Sequence, residues 1–449
     1  MRSIIDIVRQ FKLQWIDQLD SQAIANACRD AQMSWFQSTL TPIVTIQIFF
    51  LQILHGNTAC EHLPRLARMS FTAAAYCKAR MRVKLEALRF LLERSVESLQ
   101  QDAFDTSRWF GHRLFFIDGS SFSMPDTPQL QAYFGQSGGQ KPGCGFPTAH
   151  WLALMHAGTG MITKMLTAPL RTHDMSKTVH LHSELQADDL LVADCAFCSF
   201  AHLALLLQRG VHGLLRIHQR TIVDFRPGRG HVVPGKGKSQ HQKGKPRSRW
   251  IRALGANDQI VAWLKPALTN KPEWMSRRQF DSLPASIEVR ELRYTIHEKG
   301  FRTKQITLVT TLLDAEIYTL PGLADLFRQR WQIETNFGHL KTTMKMDVLK
   351  CKTVEGVLKE LHVFALIYNL VRQVMLEAAS RQGVDVQRIS FIDALRWLQT
   401  AQPGDELPKL VVNPYRPNRL EPRVRKRRPK QYPLMTKPRR QLKKELENK

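Results

Sequence analysis

Long apolar runs, paired cysteines and acidic residues are all in short supply in this chain, and each shortage narrows its class. No run of about eighteen apolar residues occurs. The longest candidate, Thr41 to Leu54, is broken by Thr and Gln, so no membrane-spanning helix is expected. The first residues, Met1 to Asp6, bring an early acid and no continuous apolar stretch, which does not read as a secretory signal. Seven cysteines, an odd number scattered over 449 residues, suit a reducing cytoplasm rather than a disulfide framework. Asp and Glu number 39 against 65 Lys and Arg, leaving a formal charge of +26. Such an excess, with a pI near 10.1, calls for a polyanionic partner: nucleic acid first, an anionic membrane surface second.

Where acids do occur, their setting is informative. Within 326–341, steps of three, four, three and four residues put Phe327, Arg330, Glu334, Phe337 and Lys341 on one helix face. Leu326, Ile333, Leu340 and Met344 form an apolar stripe beside it, so the helix can bury one face and present a charged one. An isolated Arg–Glu pair of this kind is ordinarily an exposed ion pair worth roughly a few tenths of a kcal/mol. Two distant stretches change that reading. The apolar run Leu114–Ile117 ends at Asp118 and is followed by Gly119-Ser120-Ser121, a buried strand delivering a carboxylate into a turn. Leu190–Ala193 ends at Asp194 in the same way. Three carboxylates converging from distant sequence suit hard divalent cations such as Mg²⁺, which take oxygen ligands and leave room for phosphate oxygens. A pair of such ions serves phosphoryl transfer.

Together these stretches resemble the DDE transposases of bacterial insertion sequences, specifically the insertion-sequence-4 group with its Tyr-Arg-Glu-Lys signature. Arg330, Glu334 and Lys341 stand in register with that signature, while Phe327 occupies the Tyr position and lacks the hydroxyl. Asp118-Gly119-Ser120-Ser121, Met124-Pro125-Asp126-Thr127, the glycine-rich segment 138–147 and Ala193-Asp194-Cys195-Ala196-Phe197 also look like family blocks, in the family's order. Cys195 and Ala196 replace a more usual Arg-Gly pair. The resemblance implies an α/β fold: an RNase H-like mixed-sheet catalytic core, interrupted by a mainly β insertion and preceded by a helical N-terminal domain. It implies Asp118, Asp194 and Glu334 as catalytic residues and ligands of two Mg²⁺ (or Mn²⁺) ions. Arg330, Lys341 and Phe327 would lie at the DNA, and a homodimer would form on the element ends. An RNase H-like nuclease without strand transfer, and a decayed copy that only binds DNA, remain as alternatives.

The chain divides accordingly. Residues 1–105 read as a helical DNA-binding domain, with helices near 40–54 and 83–99 and two short ones within 58–80. The second of these, capped by Ser70 or Thr72, carries Lys78, Arg80 and Arg82 and resembles a recognition helix. Residues 106–215 form the first part of the core, and directly after it Arg216, at the end of a Leu214–Leu215 strand, is placed to contact phosphate. Glu334 follows Asp194 by 140 residues (334 minus 194), too far for one connection, so 216–315 is an insertion, mainly β. Its segment Arg226–Arg252 contains no acid, and Lys236, Lys238, Lys243 and Lys245 make it a basic loop suited to a phosphate backbone. Residues 316–405 are the helical second part of the core. In 406–449, the stretch from Arg416 onward sets fourteen Lys or Arg against three Glu among five prolines, as a disordered basic tail would. Trp263 and Trp274 in the insertion read as core residues or as platforms for an unpaired base.

Overall fold

The computed structural model describes residues 20–97, 107–170, 178–233, 243–296, 305–401, 405–415 and 435–448. Nine strands alternate with helices along the described chain: β1 (Leu114–Ser123), β2 (Thr148–His156), β3 (Ile162–Pro169), β4 (Leu190–Ala193), β5 (His212–Arg216), β6 (Ser248–Gly255), β7 (Asp258–Leu264), β8 (Ser286–Thr295) and β9 (Gln305–Thr310). They join into one mixed sheet in the order β3-β2-β1-β4-β5-β9-β8-β7-β6. β1, β2 and β3 form an antiparallel meander, and β4 and β5 add to β1 in parallel. Parallel neighbours need a crossover, and between β4 and β5 the helix Phe200–Gln208 supplies it. This half is the mixed-sheet core expected from the sequence.

The insertion does not stand apart from the core. β9 pairs antiparallel with β5, and β8, β7 and β6 follow as a second antiparallel meander, so the core sheet continues into it without a break. Alternation along the strands builds two apolar layers. Phe116, Phe122, Val192 and Leu214 face one layer, and Phe115, Ile117, Leu191 and Leu215 the other. All four residues of β4 are buried, as befits a short strand covered on both faces.

The first layer is closed by the helix Val354–Gln382, in which every residue from Leu361 to Met375 is buried. This helix, buried nearly all round, lies between the sheet and the N-terminal helices Ser21–Asp30, Pro42–Leu54 and Leu85–Glu97. Thr41 and Thr72 cap Pro42–Leu54 and Ala73–Arg82 with their hydroxyls, as the sequence pattern predicts for the second. Arg80 departs from the recognition-helix expectation. Its guanidinium lies 4.8 Å from the Phe49 ring centroid and donates to Gln52 Oε1 at 3.1 Å, because a buried Gln and two aromatic rings offer it better partners than solvent. Lys78 and Arg82 remain exposed.

The tail also departs from expectation where it is described. Leu407 and Leu410 are buried, and Val412 bridges to Ile389. The helix Arg439–Glu447 begins with Arg439 lying over the Phe146 ring at 3.9 Å and paired with Asp126 at 3.3 Å. One cation held by a ring and a carboxylate docks a segment whose composition alone reads as disordered. Residues 416–434, which carry much of the tail's charge, lie outside the described residues.

Candidate catalytic site

β1 does not turn after Asp118. β2 stays paired with it as far as Ser123↔Thr148, whereas β4 pairs with it only as far as Ile117↔Ala193. The register therefore brings Asp118 and Asp194 level on neighbouring strands at the point where β4 ends. Alternation places both on the face of Phe116 and Val192, towards the helical layer. Asp194 precedes the short turn Cys195–Phe197, and its carboxylate accepts no cap hydrogen bond from that turn. Its Oδ1 is buried and accepts no hydrogen bond among the described residues. From the next strand, β5, Arg216 Nη1 approaches that oxygen to 3.9 Å.

The third acid comes from the opposite side. The helix Leu320–Gln329, capped by Thr319, stops at Arg330 and resumes as Trp331–Gly338, followed by a wide π turn, His339–Thr343. The apolar stripe is buried as its spacing predicts: Leu326, Ile333, Leu340 and Met344 are at most 1% exposed. At the break, the Arg330 N–H bonds to Phe327 O and the Ile333 N–H to Arg330 O, three-residue spans that tighten the turn. The buried Arg330 side chain then reaches Asp118 Oδ2 and Glu334 Oε1, each at 3.2 Å. It thus joins the acid of β1 to the acid of the helix. Lys341 is half-buried with its Nζ 5.3 Å from the Phe122 ring, and burial lowers its pKa.

Asp118 is raised from 3.8 to about 6. Burial is the main cause; the Gly119 N–H and Arg330 oppose it, and the charges of Glu334 and Asp194 add to it. The site is thus short of positive charge around Asp118. A donor set of carboxylates with a buried, unmatched oxygen fits a hard divalent cation. Among the described residues no three His, Cys, Asp or Glu side chains are gathered as a ready ligand set, and Arg330 stands between two of the acids.

Other expected residues fall elsewhere. Phe327 is 6% exposed beneath Arg330, whose guanidinium is 5.6 Å from its ring. This corrects its expected place at the DNA: without a hydroxyl the ring gains most by burial. Lys243 and Lys245 are exposed at the foot of the basic loop, which is closed by Val232 N–H to Pro246 O and by Arg229 to Ser248. Lys236 and Lys238 lie outside the described residues. Trp263 donates to the buried Glu291, and Trp274 packs edge-on against His202, so both serve the core. Cys195 and Cys198 are free thiols. Sequence reasoning passed over Trp331, which is 55% exposed beside Arg330; an aromatic next to the signature Arg, off the apolar stripe, was the available signal.

A family model described as "Transposase DDE domain" matches residues 109–370, which contain all three acids. The chain is 26% identical over 383 residues to "Transposase InsG for insertion sequence element IS4" of Escherichia coli (strain K12), covering 81% of this chain and 78% of that one. It is 30% identical over 141 residues to "Putative transposase InsZ" of the same organism, covering 30% of this chain and 46% of that protein. Among solved structures it is similar to the piggyBac transposase synaptic complex with hairpin DNA, at 11% identity and a TM-score of 0.43, covering 89% of this chain and 80% of that one. With the sheet, the paired acids and the signature helix in place, the chain belongs to the DDE transposases.

Proposed function

We propose that this transposase cuts DNA at the ends of an insertion sequence and joins the freed strand to a second site, with Asp118, Asp194 and Glu334 as catalytic residues. The observation that carries the reading is the level placement of Asp118 and Asp194 on parallel strands, with Glu334 brought to Asp118 through Arg330. In the first step water attacks a phosphodiester and the P–O3′ bond breaks, leaving a 3′-hydroxyl. That hydroxyl then attacks a phosphodiester of another strand and displaces its 3′-oxygen. The three acids would hold two Mg²⁺ (or Mn²⁺) ions, which when bound stabilise the attacking and leaving oxygens. Arg330 and Arg216 contribute fixed positive charge next to the carboxylates, where a phosphate gathers charge, and Lys341, over the Phe122 ring further along β1, would add to it. The exposed Trp331 ring offers a stacking surface for an unpaired base beside them.

The partner in this reading is double-stranded DNA, bound by a homodimer so that two ends meet. Residues 1–105, the basic loop of 216–315 and the tail within 406–449 supply cationic surface around the core parts 106–215 and 316–405. Among the described residues no helix is long and apolar enough to cross a membrane, and the charge of +26 suits a nucleoid-associated cytoplasmic protein.

Labelled duplexes carrying the element ends, incubated with Mg²⁺ or Mn²⁺, test the chemistry. Glu334→Ala is expected to lower nicking at the element boundary on the order of a thousandfold, with binding retained. Equal cleavage by both proteins removes Glu334 from the mechanism. Adding target duplex separates a transposase, which joins the 3′-end, from a nuclease, which does not. Replacing Lys243 and Lys245 together by Ala is expected to flatten the dependence of log affinity on log salt by about 2. An unchanged slope takes these two lysines away from the phosphate backbone.

A further inference from the structure

Behind the signature helix lies a cavity of about 220 Å³ that the proposed chemistry does not use. Gln332, Asn336 and His339 line it from the helix. Their spacing puts them on the face turned away from Glu334. Arg372, from the long helix Val354–Gln382, lines it as well, together with Gln387 and Asn413 from the chain that follows.

Arg372 is 1% exposed. Its Nε donates to Thr159 O at 2.8 Å, its Nη1 faces the sulfur of Met375 at 3.8 Å, and its Nη2 has no hydrogen-bond partner among the described residues. Among the described residues no carboxylate makes an ion pair with it. Gly160, at φ +68°, lies flat against the guanidinium, and a Cβ there would come within 2.5 Å of Nη2. The chain thus makes room for a buried cation and leaves one of its nitrogens unmatched. His339 stacks on Phe391 with ring centroids 4.3 Å apart, and its buried Nδ1 also lacks a partner among the described residues. Asp385 offsets part of this charge without pairing with it, and a buried cation so weakly compensated is costly for a fold.

We infer that this cavity is a binding site for a tetrahedral oxyanion of the phosphate class, held by the Arg372 guanidinium and the His339 ring. A guanidinium edge matches two oxygens of such an anion at once. The cavity is roomy for a monatomic ion, and its other polar lining, Gln332, Thr335, Asn336, Gln387 and Asn413, is uncharged, so no carboxylate of the lining competes. Burial and the nearby Arg372 charge push His339 down to about 4, so the ring is neutral and carries one N–H, which at Nδ1 can donate to an anion oxygen. The occupant ties the signature helix to the long helix at the π turn, on the reverse side of the stretch that carries Glu334.

Crystals of the full chain soaked in graded selenate, with anomalous scattering to locate the anion, test the site by position. That matters for a protein whose whole surface attracts anions. Selenate is expected in the cavity at the lowest concentrations, displaced by inorganic phosphate and lost in Arg372→Met. Should Arg372→Met fail to fold, His339→Leu keeps the guanidinium and is expected to weaken the same peak. Repeating the soak with a short duplex bound separates the sources: selenate expelled by duplex assigns the site to a backbone phosphate, and selenate retained assigns it to the free anion. Peaks confined to the basic surface, or a cavity peak unchanged in both variants, overturn the inference.

Discussion

Asp118→Asn is expected to lower cleavage severely and at the same time to raise the stability of the protein at pH 8. The carboxyl of Asp118 is raised from 3.8 to about 6, chiefly by burial. Between these values the folded protein keeps a proton that the unfolded chain has released. Folding stability therefore falls as pH rises through that window, and above pH 6 the full penalty is present. A shift of this size corresponds to about 2–3 kcal/mol. Asn keeps the acceptor for the Gly119 N–H and removes the repulsion from Glu334 and Asp194. It gives up the contact with Arg330, which still holds Glu334. The gain in melting temperature is thus expected to be largest at pH 7–8 and to shrink towards pH 4. Cleavage is expected to drop on the order of a thousandfold, as when a group that acts on developing charge is lost. Urea unfolding of both proteins at pH 4, 6 and 8 measures the effect. A variant less stable than the parent at every pH, or a gap that does not change with pH, removes the electrostatic argument. The expected pairing of higher stability with lost chemistry marks a site that holds strain for its function.

How much of this site is legible in the sequence depends on the range of the forces that shape each part. The burial of Leu326, Ile333, Leu340 and Met344 follows from spacing within one helix, and so does the closeness of Arg330 to Glu334. The interruption at Arg330 does not, because it rests on Asp118, which lies 212 residues earlier in the chain. Apolar runs lead to Asp118 and Asp194 alike, yet only pairing tells the two strands apart. β1 runs on to Ser123 because β2 accompanies it, and Gly119-Ser120-Ser121 reads as a turn only while β2 is left out of account. Arg80 shows the same limit. Beside Lys78 and Arg82 it looks like a third basic contact, and only the folded position of Gln52, 28 residues away, turns it inward. The β character of the insertion is plain in its residues. Its fusion with the core through β5 and β9 depends on an antiparallel pairing that no local pattern encodes.

That fusion sets up the other large effect: Asp258→Ala is expected to destabilise the protein by about 3–5 kcal/mol. Asp258 opens β7, and Arg290 lies on the adjacent strand β8, 1% exposed. The guanidinium grips the carboxylate in two bonds, Nε to Oδ1 at 2.8 Å and Nη2 to Oδ2 at 2.5 Å. Its remaining nitrogen, Nη1, donates to Tyr318 O at 2.6 Å. Removing Asp258 strands a buried cation, whereas removing both charges leaves only a packing defect. The double variant Asp258→Ala/Arg290→Met is therefore expected to recover most of the loss. The bond to Tyr318 extends the consequence to the catalytic site. Tyr318 sits directly before Thr319, which caps the helix leading into Arg330. Slack in Arg290 is expected to loosen the start of that helix, lowering cleavage in Asp258→Ala although no acid has been touched. Urea unfolding of the two single variants and the double one closes the cycle. A loss under about 1 kcal/mol in Asp258→Ala, or a double variant weaker than either single, would show that the pair is ordinary surface charge and that the insertion does not brace the signature helix.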